Sequence, residues 1–146
     1  MNEADERHLR RAIALASEGR AAGEMPYGSL LVGPEGEVLA EDRNTVLSDR
    51  DISAHPELKL ARWAARELEP GVARRTTMYT SCQPCPMCTG AIARAGLGRV
   101  VFALAGEQLH ALGAASPDAA AVTYEGPALF DEARVPIDGY YPTGRG

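Results

Sequence analysis

The stretch YTSCQPCPMCTGAI at residues 79–92 joins a strand to a helix through a turn crowded with cysteines. Its β-branched and aromatic residues predict a short strand over 77–81. Pro86 suits the first position of a helix, which we predict over 86–95. Three cysteines so close together make a poor disulfide framework and favour metal binding or redox chemistry. They are Cys82, Cys85 and Cys88.

Outward from this turn, helical and strand patterns alternate along the chain. The remaining predictions are helices at 4–22 and 56–68, strands at 27–32, 37–41 and 99–104, a loop at 44–52, and short helical turns at 108–112 and around Phe130. The sequence Gly33-Pro34-Glu35-Gly36 indicates a hairpin turn. This order predicts an α/β fold with three α-β-α layers, and single helices between strands favour parallel pairing.

Composition is that of an ordinary globular domain, so we expect one domain over residues 1–146. Hydrophobic residues make up 45%, charged residues make up 24%, and the net charge is −5, which argues against a nucleic-acid partner. Apolar runs are too short for a membrane span, and the acidic N-terminus resembles no targeting peptide, so a cytoplasmic location is expected. Lys59 is the only lysine, which we attribute to coding bias.

A second motif, Ala54-His55-Pro56-Glu57, precedes Cys85 by thirty residues, counted from its histidine. One imidazole and two thiolates suit Zn²⁺, and three protein ligands leave the open position typical of a catalytic site. His55 and Cys85 each precede a proline that begins a predicted helix, while Cys88 lies one turn further on. We therefore predict that His55, Cys85 and Cys88 bind zinc, which acidifies a water molecule.

Glu57 lies too close to His55 in sequence to be a fourth ligand, and its carboxylate can move protons beside the metal. We predict that it is the catalytic acid and base. Two alternatives stay open at this point. Cys82 could complete a structural Cys₃His zinc site, or the Cys-x-x-Cys pair could be a redox centre.

From residue 7 to residue 105 the sequence resembles the cytidine-deaminase-like superfamily, nearest to its guanine, cytosine and tRNA adenosine deaminases. The resemblance rests on the two motifs above together with Pro26-Tyr27-Gly28 and Asn44. It implies a five-stranded mixed sheet, a homodimer and one Zn²⁺ per chain. It also implies that Asn44 hydrogen-bonds the base and that Tyr27 and Ser81 lie at the pocket.

Two departures from the family pattern bear on the substrate. The middle residue of His-x-Glu is commonly alanine, and Pro56 removes a backbone N–H that can hold the base. The tail could close the pocket within the chain or across a dimer, but it does not align with the acidic and aromatic tails of guanine deaminases.

The sequence therefore predicts hydrolytic deamination of a small nucleobase-like molecule. Guanine-like bases are the first expected substrates, ahead of cytosine-like or modified bases. Deamination of adenosine in tRNA is the second hypothesis. A catalytically silent zinc-stabilised binding module is the alternative from another class.

Overall fold

The computed structural model describes residues 1–117 and 119–142. The chain divides into two compact units, Met1–Ala114 and Ala115–Gly146, and each is described by itself. One domain over residues 1–146 stays a prediction, and Asp118 and residues 143–146 of that range lie outside the described residues. No helix of the described ranges is both long enough and apolar enough to span a bilayer.

The first unit contains the predicted helices and strands, with ends that differ by a few residues at most. Two short helices were not predicted: one lies within the expected loop at 44–52, and one follows the third helix immediately. The elements are α1 (Glu3–Ala21), β1 (Gly28–Val32), β2 (Val38–Arg43), α2 (Val46–Asp49), α3 (Pro56–Glu67), α4 (Pro70–Arg74), β3 (Thr77–Cys82), α5 (Pro86–Ala95), β4 (Arg99–Leu104) and α6 (Gly106–Ala111).

The sheet is mixed, with strand order β2-β1-β3-β4. The hairpin β1–β2 is antiparallel as predicted, and β3 and β4, joined through α5, are parallel. On its other side β3 pairs antiparallel with β1. Because β1 lies between β2 and β3, the α3 crossover still joins two strands that run in the same direction.

The prediction of five strands is wrong for the described residues, in which four strands form one sheet. After β4 the chain enters α6, and the described residues beyond it form helical turns and irregular segments. Four prolines lie in this region, and a proline cannot donate a backbone hydrogen bond to a neighbouring strand. They are Pro117, Pro127, Pro136 and Pro142.

Helices cover both faces of the sheet, which confirms the three layers. Leu30 and Tyr79 pack with Leu9 and Ala12 of α1 on one face. On the other face, a cluster joins the sheet to α3 and α5; its members are Leu31, Leu60, Ala61, Ala64, Met78 and Ile92. Alternate strand residues thus point to opposite layers. At Gly28 an added Cβ would lie 2.6 Å from Ala12 O, so glycine lets β1 approach α1.

A buried carboxylate fastens α1 to the sheet. Asp5 is 3% exposed, and its oxygens accept hydrogen bonds from both terminal nitrogens of Arg99 at 3.0 and 2.9 Å. The Tyr79 hydroxyl donates a third bond at 2.6 Å. The bonds from Arg99 and then Tyr79 hold the pKa of Asp5 far below its usual range. The ionised form of Asp5 is therefore part of the folded state.

Asp5→Asn is expected to lower the free energy of unfolding by about 2 kcal/mol at pH 7, a modest value because Arg99 is half-exposed. A pKa lowered by folding stabilises the protein above the ordinary aspartate value of about 3.9, and the effect is lost as the pH falls below it. Urea unfolding at pH 7 and pH 3 measures this. An equal gap between wild type and variant at both pH values would contradict the assignment.

The second unit contains a 3₁₀ turn at Ala119–Ala121 and a short helix, α7 (Phe130–Ala133), where a helical turn was predicted. Within it, the Arg134 guanidinium lies 5.2 Å from the centre of the Phe130 ring, and its Nε donates to Asp138 Oδ2 at 2.9 Å. Both contacts lie within residues 130–138 of this unit.

Candidate metal and catalytic site

Two helix starts converge on one place in the first unit. His55 is the N-cap of α3 and Cys85 is the N-cap of α5, each in extended conformation and each followed by a proline at the first helical position. Cys88 lies in the first turn of α5 and is fully buried. Because α3 and α5 pack against each other, the histidine and the two cysteines meet although about thirty residues separate them.

The three side chains have the spacing of a metal site. His55 Nδ1 lies 3.6 Å from Cys85 Sγ and 3.5 Å from Cys88 Sγ. Zinc bonds of about 2.0–2.1 Å to nitrogen and 2.3 Å to sulfur place such ligand atoms about 3.6 Å apart in a tetrahedron. All three ligand atoms lie within 4.8 Å of one another. The donor set and its geometry therefore fit Zn²⁺.

The electrostatics of the cluster also fit a divalent cation. Burial lowers the pKa of His55, which favours the neutral imidazole that binds metals. Burial, then the charges of Glu57 and Cys85, raise the pKa of the Cys88 thiol well above its usual range. A bound dication would reverse that direction, because it compensates the crowded negative charge and deprotonates a coordinating thiol.

Cys82 does not join this cluster. Within residues 1–117 and 119–142, the only group of three or more potential ligands is His55, Cys85 and Cys88. Cys82 is buried at the end of β3, and burial raises the pKa of its thiol. This arrangement disfavours the alternative of a structural Cys₃His site, since the fourth position of the cluster is not filled by the remaining cysteine.

Glu57, in the first turn of α3, points into the fold beside the cluster and is 6% exposed. Burial raises the pKa of its carboxyl, while bonds from its own backbone N–H, Ser29 and the Cys88 thiol act in the opposite direction. A carboxyl whose pKa is moved toward neutrality can both accept and donate protons. The predicted proton carrier therefore has the surroundings that such a role needs.

Ser29 is a site residue that the sequence analysis missed. Its Oγ lies 3.3 Å from Glu57 Oε1 and 2.7 Å from Thr80 Oγ1, and both hydroxyls are fully buried. A hydroxyl has one proton and two lone pairs, so a bond from Thr80 to Ser29 leaves the Ser29 proton for Glu57. The available signal was a polar residue inside the otherwise apolar strand β1.

Asn44 and Tyr27 lie next to each other near the cluster. The Asn44 backbone N–H donates to Tyr27 O at 3.0 Å, and Asn44 Oδ1 accepts from Val46 N at 2.9 Å. The Tyr27 hydroxyl has a raised pKa because of burial first and then the charges of Cys82 and Glu57. Both residues are therefore near the predicted pocket, and the Asn44 amide nitrogen stays free of protein acceptors in the described part of the chain.

The two other predicted pocket residues differ in their placement. Pro56 is fully buried at the first position of α3, between His55 and Glu57. Ser81 follows Thr80 on β3, so its side chain faces α1, opposite the layer that carries Glu57. Its Oγ accepts from Gly28 N at 3.1 Å, and it lines a cavity of about 360 Å³ beside α1. The placement does not favour contact between the Ser81 hydroxyl and a substrate beside Glu57.

The sequence model for the zinc-binding region of cytidine and deoxycytidylate deaminases matches residues 2–104. A probable cytosine deaminase of Schizosaccharomyces pombe is 32% identical over 99% of this chain. A tRNA-specific adenosine deaminase of Haemophilus influenzae is 32% identical over 77% of it. A tRNA(Ile)-lysidine synthase of Deinococcus deserti is 36% identical over 72% of it. The chain spans 97%, 65% and 20% of these relatives, respectively.

A crystal structure of guanine deaminase from Bacillus subtilis has the same fold, with a TM-score of 0.77 and 29% sequence identity. The superposition covers 100% of this chain and 99% of that one. The α/β architecture around the His55, Cys85 and Cys88 cluster is thus shared with a solved deaminase.

Proposed function

The chain belongs to the cytidine and deoxycytidylate deaminase family, and we propose that it hydrolyses the exocyclic amine of a free nucleobase. The observation that carries the proposal is the placement of Glu57 beside the His55, Cys85 and Cys88 cluster. His55 Nδ1 lies within 3.6 Å of both sulfur atoms, and Glu57 is buried in contact with Cys88. A metal site without chemistry would not require a buried carboxyl there.

His55, Cys85 and Cys88 would hold the zinc ion. Zn²⁺, when bound, would lower the pKa of water and stabilise negative charge that develops on oxygen. Glu57 takes a proton from the attacking water and delivers protons to the ring nitrogen and the amine. The Ser29 hydroxyl donates to Glu57 Oε1 at 3.3 Å and so helps to hold the carboxyl in place.

The reaction balances with water as the only co-reactant. A bond forms between water oxygen and the ring carbon that carries the amine, and the bond from that carbon to the amine nitrogen breaks. The products are a carbonyl in place of the amine and a molecule of ammonia. Glu57 ends in the protonation state in which it began, so one residue serves both half-reactions.

We propose that Asn44 recognises the base through its amide N–H groups. Its Oδ1 accepts from the Val46 backbone, so the side chain offers donors to the substrate. A ring carbonyl, as in guanine or cytosine, supplies the matching acceptor. We rank guanine-like bases first because the guanine deaminase fold matches this chain over its whole length, and cytosine-like or modified bases second.

The test is ammonia release by zinc-loaded protein from a panel of free bases, their nucleosides and an anticodon stem-loop. We expect release from a free base, above all guanine, and little from nucleosides or the stem-loop. Release only from the stem-loop would contradict the free-base proposal. Release from none of these compounds, with zinc bound, would contradict the proposed chemistry.

Adenosine in tRNA is the second candidate, favoured by the 32% identity to the Haemophilus influenzae tRNA-specific adenosine deaminase. The net charge of −5 disfavours it, because binding a polyanion normally requires a basic surface. Inosine formation in the stem-loop arm of the panel distinguishes tRNA deamination from free-base deamination.

We further propose that the protein is cytoplasmic and forms a homodimer. Analytical ultracentrifugation of the zinc-loaded protein would test the dimer.

Pro56→Ala should restore a backbone N–H beside the metal ligand. If this amide faces the base, the KM of a substrate with an acceptor there should fall by up to roughly tenfold, the value of one hydrogen bond. Loss of the proline should lower stability by only about 0.4–1 kcal/mol. Steady-state kinetics on the active bases measures the effect. An unchanged KM for each of them would show that the amide does not face the substrate.

A further inference from the structure

Lys59 of α3 is fully engaged in hydrogen bonds. Its Nζ donates to Asp42 Oδ1 at 3.0 Å, to Arg43 O at 2.9 Å and to Thr45 Oγ1 at 2.9 Å. An ammonium group has three N–H donors, so these acceptors use all of them. The Lys59 side chain is 23% exposed and that of Asp42 is 32% exposed, so the contact is shielded from most of the solvent.

The acceptors lie on both sides of Asn44. Arg43 and Thr45 are its sequence neighbours, and each bonds to the same ammonium group. The Thr45 backbone N–H also donates to Ala54 O at 3.0 Å, next to the metal ligand His55. The segment that follows β2 is thus tied to α3 by the Lys59 side chain, and the main chain ties it to Ala54, just before α3 begins.

The same helix carries Glu57, two residues before Lys59. Helix geometry fixes the separation of the Glu57 and Lys59 backbones, and the three hydrogen bonds of Lys59 hold its ammonium group in place. The Asn44 segment, in contrast, is the irregular end of a strand followed by a helix of four residues. A bond from the rigid element therefore determines where the irregular one lies.

We propose that Lys59 is a positioning residue that fixes the Asn44 amide relative to Glu57. This role rests on the proposed function, since it assigns Asn44 to the substrate. Lys59 acts through the main chain of Arg43 and the side chain of Thr45, and it does not itself contact the base. The only lysine of the chain, which the sequence analysis attributed to coding bias, thereby acquires a specific role.

The test compares Lys59→Met with Arg62→Met. Methionine keeps an unbranched apolar stem, and Arg62 is an exposed cation on the same helix, so both variants lose one positive charge. We expect Lys59→Met to raise KM roughly tenfold or more, with kcat and bound zinc near the wild-type values. Arg62→Met should match wild type in all three.

A second measurement requires no substrate. Val46 donates its backbone N–H to Asn44 Oδ1, so amide hydrogen exchange at Val46 reports whether the Asn44 side chain is held in place. Exchange should be faster in Lys59→Met and unchanged in Arg62→Met. If the wild type releases no ammonia from any base, the proposed function fails, while this exchange measurement still tests Lys59.

Thr45→Val removes one of the three acceptors of Lys59 and keeps the lysine. It replaces Lys59→Met as the test variant if Lys59→Met does not fold. It should raise KM and Val46 exchange in the same direction by a smaller factor. Equal KM and equal Val46 exchange in Lys59→Met and Arg62→Met would overturn the proposal. So would a loss of kcat and zinc in Lys59→Met without a change in KM.

Discussion

Glu57→Ala is expected to lower kcat by roughly 10³-fold or more while zinc stays bound. The buried carboxyl is the proposed proton carrier, and general acid–base catalysis contributes about 10²–10⁴-fold, here at more than one proton transfer. The substitution leaves His55, Cys85 and Cys88, whose ligand atoms form the cluster, in the chain. The loss should therefore appear in turnover and not in metal content.

Glu57→Gln is the matched control, because the amide keeps the shape of the side chain and can still accept from Ser29. It should be almost as inactive as Glu57→Ala, since an amide cannot carry the proton. Ammonia release and zinc content by atomic absorption are measured on the same preparations. A Glu57→Gln protein with wild-type kcat would refute the proton-carrier assignment.

Cys85→Ala is expected to lower zinc affinity by at least about a hundredfold and to abolish activity at ordinary zinc concentrations. Cys85 is one of the three proposed ligands, and its loss would leave His55 and Cys88 to bind the ion. Zinc at a hundredfold excess over its Kd adds about 2.7 kcal/mol to the free energy of unfolding. Wild type should gain this stability, and Cys85→Ala should gain almost none.

Cys82→Ala is the control for Cys85→Ala, because it replaces a nearby cysteine that is not a proposed ligand. Cys82 is buried and lies outside the ligand cluster, so the substitution removes a sulfur atom without removing a ligand. It should retain zinc affinity and most of the activity. Zinc titrations followed by thermal unfolding of both variants measure the difference, and equal losses in the two would argue for a four-ligand structural site.

Much of the fold could be predicted from the sequence because local signals coincide with the periodic patterns. Pro56 and Pro86 begin their helices as their fixed φ requires, and the helix over 86–95 and the strand over 99–104 have the predicted ends. The candidate ligand cluster could be predicted because its two motifs lie at helix starts. A three-residue histidine motif and a Cys-x-x-Cys pair together predict zinc chemistry there.

The parts that could not be predicted depend on contacts between distant segments. The faces of β3 could not be assigned without its partners, so Ser81 was grouped with the pocket although its side chain faces α1. The hydrogen bonds of Lys59 to residues 42, 43 and 45 join a helix to the end of a hairpin, and no periodic pattern in the sequence predicts them. The fifth strand was implied by a resemblance and not by any strand pattern after residue 104.

We propose that zinc at His55, Cys85 and Cys88 makes this chain a hydrolytic deaminase. The most direct test is titration of zinc into metal-free protein while ammonia release from the most reactive free base is followed. We predict no release without metal, a rise in proportion to bound zinc, and saturation at about one ion per chain, as three protein ligands with one open position require. Full activity in metal-free protein, or zinc binding without any ammonia release, would contradict it.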